Sequence, residues 1–389
     1  MKIASIVGAR PQFIKIASLC REFASKDNTK HLIIHTGQHY DYMMSKVFFD
    51  ELGIPEPDYN LEVGSGKHGE QTGFITQRTE DVLLKEKPEV VLTYGDTNST
   101  LGGAIAAAKL RIPVVHVEAG LRSFNKNMPE EINRVLTDHI SSVLLCPSEI
   151  AAKNLREEGF SNIINGGKLI DYNFHVTSNN ILSHSWDISH PIIINVGDVM
   201  YDILCYAIDV AENKSNIMNQ LQVYKKDFYL LTLHRAENTD NQKDLKKIID
   251  FVNKVVEDKI VLFPLHPRTR KVYDSIQSKL ADNFKIIEPL GYFNMLVLLK
   301  NSLLVMTDSG GMQKEAYWLK TPCITLREET EWIETIESGW NVLYKNYQGL
   351  FHLAKSQNLV YGDGKASARI ANIIYNVTNG NGEIQLLAQ

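Results

Sequence analysis

Short apolar runs rich in Val, Ile and Leu recur along the 389-residue chain, separated by longer segments with apolar residues at helical spacing. In the first half, residues 2–7, 31–36, 90–94, 114–117 and 143–146 read as strands. In the second half, 228–233, 260–265, 285–287, 303–306 and 323–326 do the same. Helices fit between them, over 13–22, 101–110, 242–256 and 312–318, and again over 365–377 near the end. Strand alternating with helix describes a parallel sheet covered on both faces. The alternation occurs twice without a sequence repeat. The pattern therefore predicts an α/β protein of two doubly wound, Rossmann-like domains, over residues 1–165 and 196–365. A helical segment over 366–389, frayed in its last dozen residues, is expected to pack back on the first domain. Residues 161–191 are rich in Asn, Ser and His with weak periodicity, so 166–195 reads as a linker carrying an insertion.

Composition narrows the class of function. An apolar share of 44% and a net charge of −5, with both signs spread evenly, describe a globular protein. No basic stripe points to nucleic acid, and no run of about 20 apolar residues points to a membrane span. Cys20, Cys146, Cys205 and Cys323 form no C-x-x-C pair and sit in apolar settings, as in a reduced cytoplasmic protein. The N-terminal apolar run meets Gly8 and Arg10 too soon for a signal peptide.

Chemistry concentrates between Val90 and Arg134. This stretch reads as strand, turn, small-residue helix, strand, loop and helix, so its two strands are parallel. Asp96 and Glu118 then follow the carboxyl ends of two neighbouring strands, where open α/β sheets bind ligands. Pro129 at a first helical position puts Glu131 in the opening turn of the next helix. Three carboxylates at one edge suit acid/base work. Taken singly, each also suits a cap or a solvated loop. His116-x-Glu118 has half of a zinc deaminase signature without the P-C-x-x-C partner, and no acid spacing fits a calcium loop, so no metal is expected.

Other turns suit a phosphate. Gly8-Ala9-Arg10-Pro11 joins a strand to a helix and offers backbone N–H groups plus a guanidinium. It is not a G-x-G-x-x-G fingerprint, so no nicotinamide cofactor is implied. Asp308-Ser309-Gly310-Gly311 follows a strand and opens a helix, and Glu315 lies on the next turn within reach of ribose hydroxyls. His234 and His266 each end a strand of the second half, where an imidazole contacts phosphate or relays a proton.

These residues resemble the UDP-N-acetylglucosamine 2-epimerases. The matching stretches are GARPQFIK at 8–15, TGQHYD at 36–41, GDTNST at 95–100, HVEAGLRS at 116–123 and PEEINR at 129–134. HRAEN at 234–238, HPRT at 266–269, PLGYFNMLVLLKNS at 289–302 and TDSGGMQKEA at 307–316 follow in order. The resemblance implies a GT-B architecture with an interdomain cleft, usually in a homodimer, acting on a UDP-sugar without cofactor. It implies Asp96, Glu118 and Glu131 as acid/base carboxylates and His234 near the sugar and diphosphate. Arg10, Ser309 and Gly310 would hold the diphosphate, Glu315 the ribose, and the backbone around Phe293 the uracil. Lys15, Arg134 and His266 would line the same cleft, and Gln38-His39 matches a strip that binds an activating second substrate in some members.

Many members carry R-x-x-T-E-R-P-E where this chain has Arg327-Glu328-Glu329-Thr330-Glu331-Trp332-Ile333-Glu334. That variant resembles the branch acting on UDP-2,3-diacetamido-2,3-dideoxyglucuronate. Trp332 itself reads as a core residue first and a sugar-stacking one second. The implied activity is inversion at C2 of a UDP-N-acetylated hexosamine, for surface polysaccharide precursors. A hydrolysing 2-epimerase and a GT-B glycosyltransferase share the nucleotide site and remain as alternatives.

Overall fold

The computed structural model describes residues 1–39, 45–166, 168–171, 188–239, 241–256, 258–265, 267–270, 272, 280–349, 351 and 360–378. The chain divides into two compact units. One is Met1–Cys205 with Leu359–Gln389, and the other is Tyr206–Asn358.

In the first unit, nine described strands form one sheet. They are β1 (Lys2–Val7), β2 (Lys30–His35), β3 (Tyr59–Asn60), β4 (Val90–Tyr94), β5 (Val114–Val117), β6 (Val143–Cys146), β7 (Ile163–Asn165), β8 (Lys168–Asp171) and β9 (Ile192–Asn195). Their order is β3-β2-β1-β4-β5-β6-β9-β7-β8, and every pairing is parallel except β7 with β8. The order reverses between β1 and β4, where Ile3 pairs with Val90 and Ser5 with Leu92. That reversal is the switch point at which doubly wound sheets open a crevice.

All five residues of β4 are buried, as expected of a central strand covered on both faces. Each such apolar side chain contributes about 1.5–3 kcal/mol relative to exposure. Helix Asn98–Lys109 lies close on this sheet because its inward face is small: a Cβ on Gly103 would stand 2.6 Å from Ile6 Cδ1. Helix His68–Glu86 covers it from outside, where a Cβ on Gly102 would be 2.7 Å from Ile75 Cγ2.

The segment expected as a linker contributes to the sheet instead. β9 pairs with β6 through Cys146 and Asn195, and β7 pairs with β9. Two isoleucine-rich pieces of three and four residues were hidden by the polar stretch between them, of which 172–187 lie outside the described residues. The division between units falls after Cys205, inside helix Val199–Lys214, and not near 196. The start of that helix is held in the first unit. Asp198 N–H donates to Tyr361 O at 2.9 Å, and the Asp202 carboxylate accepts from Ala366 and Ser367 N–H at 3.1 and 2.6 Å. Asp202 thereby caps helix Ala366–Thr378. Ser367 bonds Ser18 at 2.7 Å, and Lys26 donates to Asn372 at 2.5 Å, so that helix packs on helix Arg10–Ala24.

The second unit holds six described strands, all paired in parallel. They are β10 (Phe228–Thr232), β11 (Ile260–Pro264), β12 (Phe284–Ile287), β13 (Leu304–Thr307), β14 (Cys323–Thr325) and β15 (Asn341–Leu343). The order is β12-β11-β10-β13-β14-β15, with the switch point between β10 and β13. Leu231, Val261, Phe263 and Met306 from the strands, with Leu233 just past β10, pack with Leu245, Ile249 and Val252 of helix Gln242–Val255 in one core. Two doubly wound Rossmann-like sheets are the make-up of a GT-B protein. No helix among the described residues is long and apolar enough to cross a membrane.

Candidate active site

In the first unit Asp96 and Glu118 follow the carboxyl ends of β4 and β5, and Glu131 lies in the first turn of helix Pro129–His139. β4 ends at Tyr94, and Gly95 follows with φ +63°, which turns the chain sharply into Asp96. Thr97 then caps helix Asn98–Lys109, its hydroxyl accepting from Thr100 N–H. The turn leaves no room at Gly95: a Cβ there would stand 2.8 Å from Lys15 Nζ and 3.2 Å from Glu118 Oε2. Lys15 and Glu118 are ion-paired and almost wholly buried. Glu118 holds a left-handed backbone, φ 72°, costly for a residue with a Cβ and typical of functional positions.

Asp96 pairs with the guanidinium of Arg134, whose Nη1 also lies 3.2 Å from Glu131 Oε2. Both come from helix Pro129–His139, in which Pro129 occupies the first turn. Glu131 also accepts from the backbone N–H groups of Ser123 and Phe124, each at 2.9 Å, and from the Ser123 hydroxyl at 3.0 Å. Lys15 with Glu118, and Arg134 with Asp96 and Glu131, are thus two ion-paired groups, the first against Gly95 and the second on Asp96. Asn133 fixes its backbone by donating to Asp96 O at 2.9 Å.

The Arg10 turn differs from expectation. Gly8 and Ala9 N–H groups donate to Gln12 Oε1 at 2.8 and 3.1 Å, and Arg10 N–H donates to His39 Nδ1 at 3.1 Å. These amides are committed within the protein. Gln12 also donates to Tyr94 O and Thr100 Oγ1, tying β1 to β4 at the switch point. Gln38 accepts from Ser99 N–H and Oγ–H, at 3.3 and 2.7 Å.

In the second unit, β10 and β13 present His234 and Asp308. Asp308 is fully buried and accepts from His234 and Arg235 N–H, from Asn238 Nδ2 at 3.1 Å and from His234 Nδ1 at 2.8 Å. Burial alone would push its carboxyl up. The His234 ring and the two backbone N–H bonds outweigh that and hold it well below the usual carboxylate range. An ionised Asp308 obliges Nδ1 of His234 to carry a hydrogen, which fixes ring and tautomer.

Ser309, next to it, caps helix Gly310–Trp318 by accepting from Met312 N–H, and Glu315 is buried one turn on. A Cβ on Gly310 would meet Glu331 Oε1 at 2.7 Å and Trp332 Nε1 at 3.0 Å, so the 330–332 strip packs on the helix start. Trp332 is buried, with Lys314 Nζ 3.8 Å from its ring centre, so it fills the core as first read. Phe293 is buried at the start of helix Tyr292–Asn301. His266 lies outside the described residues. No group of three or more metal-ligating side chains occurs among the described residues.

A chain with these two switch-point clusters invites comparison with known proteins. Residues 21–375 match the family described as UDP-N-acetylglucosamine 2-epimerase. The chain belongs to this family. A UDP-N-acetylglucosamine 2-epimerase homologue of Methanococcus maripaludis is 47% identical over 97% of this chain and 100% of the relative. The UDP-2,3-diacetamido-2,3-dideoxy-D-glucuronate 2-epimerase of Pseudomonas aeruginosa is 43% identical over 96% of this chain and 99% of its own. The crystal structure of Methanocaldococcus jannaschii UDP-GlcNAc 2-epimerase in complex with UDP-GlcNAc and UDP has a TM-score of 0.82. It is 42% identical and covers 96% of this chain and 99% of that one. The chain is thus a member of an isomerase family.

Sequence reading of this epimerase-family chain did not single out Gln12, which bridges to Tyr94 O, Asn133, which holds Asp96 O, or Asp138, which accepts from Gly120 N–H and pairs with Arg122. His116 drew attention only as half of a zinc motif. Their roles depend on cross-strand contacts that no short motif encodes.

Proposed function

We propose that the protein inverts C2 of a UDP-N-acetylated hexosamine, UDP-GlcNAc or its 2,3-diacetamido uronic acid relative, by eliminating UDP and adding it back. The observation that carries this reading is a set of three ion-paired carboxylates, Glu118 with Lys15 and Asp96 and Glu131 with Arg134, of which Glu118 and Glu131 are buried and Asp96 is partly exposed. The C2 proton is weakly acidic, because its carbon bears only an amide nitrogen. Departure of the diphosphate from C1 takes the C1–O electrons and gives C1 cationic character. A carboxylate then removes the C2 proton, and the C–H electrons form the C1–C2 double bond of a 2-acetamidoglycal. Delivery of a proton to the opposite face of C2, with return of a diphosphate oxygen to C1, completes the epimer. Two faces require two acid/base groups, which the three acids supply. Arg10, His234, Ser309 and Gly310 stabilise the departing diphosphate, Glu315 holds the ribose, and Phe293 flanks the base. Lys15, Arg134 and His266 complete the binding set. The route requires no metal or nicotinamide.

Product analysis tests the reading. Incubated with either UDP-sugar alone, the enzyme should give a mixture of two nucleotide sugars, with no acceptor added. Free sugar plus UDP at equilibrium would favour the hydrolysing alternative, and turnover only with an acceptor would favour a glycosyltransferase. Comparing the two substrates identifies the sugar. The 43% identity to the diacetamido uronic acid enzyme and the Thr330-Glu331-Trp332 strip support that branch, whereas the 47% identical relative supports UDP-GlcNAc.

The product suits surface polysaccharide synthesis, and four free cysteines suit the cytoplasm. A homodimer is supported by a groove of about 650 Å³ lined by Thr72, Thr76, Ile105 and Ile132. Exposed Phe74 and Leu136 lie on helices that border it.

A further inference from the structure

Behind the three acids lies a fully buried polar network that the proposed chemistry does not use. His116, on β5, has no exposed surface. Its Nε2 lies 2.7 Å from the carbonyl oxygen of Gly95, and its Nδ1 lies 2.6 Å from Asp138 Oδ1. A carbonyl only accepts, so Nε2 carries a hydrogen. Burial would push the Asp138 carboxyl up, but the His116 ring and the Arg122 guanidinium outweigh it and hold Asp138 below the usual carboxylate range. Asp138 Oδ1 closes the contact at the ring's other nitrogen.

The network reaches all three elements that bear the acids. Through His116 it holds the Gly95 carbonyl, and hence the peptide plane leading into Asp96. The N–H of the same glycine donates to Val117 O at 3.0 Å, so the Asp96 turn is pinned from both sides. Asp138 Oδ2 accepts from Gly120 N–H at 3.2 Å and lies 2.8 Å from Arg122 Nη1, which fixes the loop just past Glu118. Arg122 in turn donates to Leu121 O and to both carboxylate oxygens of Glu158. Asp138 itself sits on helix Pro129–His139, one turn after Arg134 and two after Glu131.

Given C2 epimerisation as the reaction, we propose that His116 and Asp138 are a buried positioning pair. It sets Asp96, Glu118 and Glu131 relative to one another through a His116 ring held between the Gly95 carbonyl and the Asp138 carboxylate. Three bases placed around one carbon need sub-ångström registry, and a shift of about 1 Å costs on the order of 100-fold in rate. Separate strands and a helix do not supply that registry by themselves. A shared buried carboxylate, with an imidazole spanning to the neighbouring strand, does.

Two substitutions separate positioning from mere stabilisation. His116→Gln keeps an N–H able to reach the Gly95 carbonyl. His116→Asn keeps one toward Asp138 and abandons Gly95. The expected result is a kcat about 100-fold lower for His116→Asn, with KM and UDP affinity within about twofold of the parent, and a roughly tenfold recovery in His116→Gln. Equal kcat in the two folded variants, or losses that only follow the fraction unfolded, would overturn the proposal. Should neither variant fold, the 15N NMR spectrum of the unmodified protein decides. A hydrogen on Nε2 of His116 is expected, and a bare Nε2 overturns it. These readouts are separable from the reaction itself. Failure of the unmodified enzyme to exchange the C2 proton would end the epimerase reading without changing the state of the ring.

Discussion

Lys15 and Glu118 show how the site constrains single residues. Each is about 6% exposed at the side chain, so neither charge is solvated by bulk water and each depends on the other. Removing one partner of such a pair typically costs about 3–5 kcal/mol, because a bare charge is left inside. Lys15→Met should therefore both unfold more easily in urea and lose at least about 100-fold in kcat. A variant with parental stability and rate would show that the pair is ornamental. Asp202 offers a second test at this scale. Burial raises its pKa to about 6, against its helix-capping bonds to Ser367 and Ala366. The unfolded value is about 3.9. The folded state thus binds this proton more tightly. Its stabilising contribution is full below about pH 4 and is lost as the pH rises through 6. In urea titrations, the stability advantage of the parent over Asp202→Asn should shrink between pH 5 and pH 7.5; a growing advantage would contradict the assignment.

The elements place these residues by how closely they pack. Helix Asn98–Lys109 approaches β1 only because Gly103 has no side chain to meet Ile6. Gly103→Val should lower stability by about 1–3 kcal/mol, the usual cost of overpacking a filled core. Since the same helix start carries the Asp96 turn, kcat should fall with it, as measured on the folded fraction. Strands of five or six apolar residues, such as β1 and β4, were legible in the sequence because pattern and turn signals agree there. β7 and β9 were not, because three or four residues between Asn-rich segments carry too little period to read. Helix His68–Glu86 escaped notice for a related reason: its buried face includes Gln71 and Thr79 beside Ile75, Val82 and Leu83, which blurs the apolar stripe.

On the scale of the whole molecule, the same winding occurs in each unit, and charged side chains gather at each switch point. Asp96, Glu118, Ser309 and His234 could be picked out from sequence because they follow strand ends, where the topology forces functional groups to the edge. The residues that hold them could not. His116 touching Gly95 and Asp308 touching His234 are contacts between neighbouring strand ends, and Asp138 touching Gly120 joins a helix to a loop, all set by packing rather than by spacing along the chain. The anion-binding role first read into the Gly8–Arg10 amides was misplaced for the same reason, since Gln12 and His39 reach back to occupy them.

The central claim is that buried carboxylates carry a proton off C2 and return one from solvent-exchanged stock. Incubation of the enzyme with its UDP-sugar in D2O, read by proton NMR at C2, tests it directly. The account predicts that the epimer forms with deuterium at C2. An epimer that forms with its original C2 hydrogen retained would contradict it.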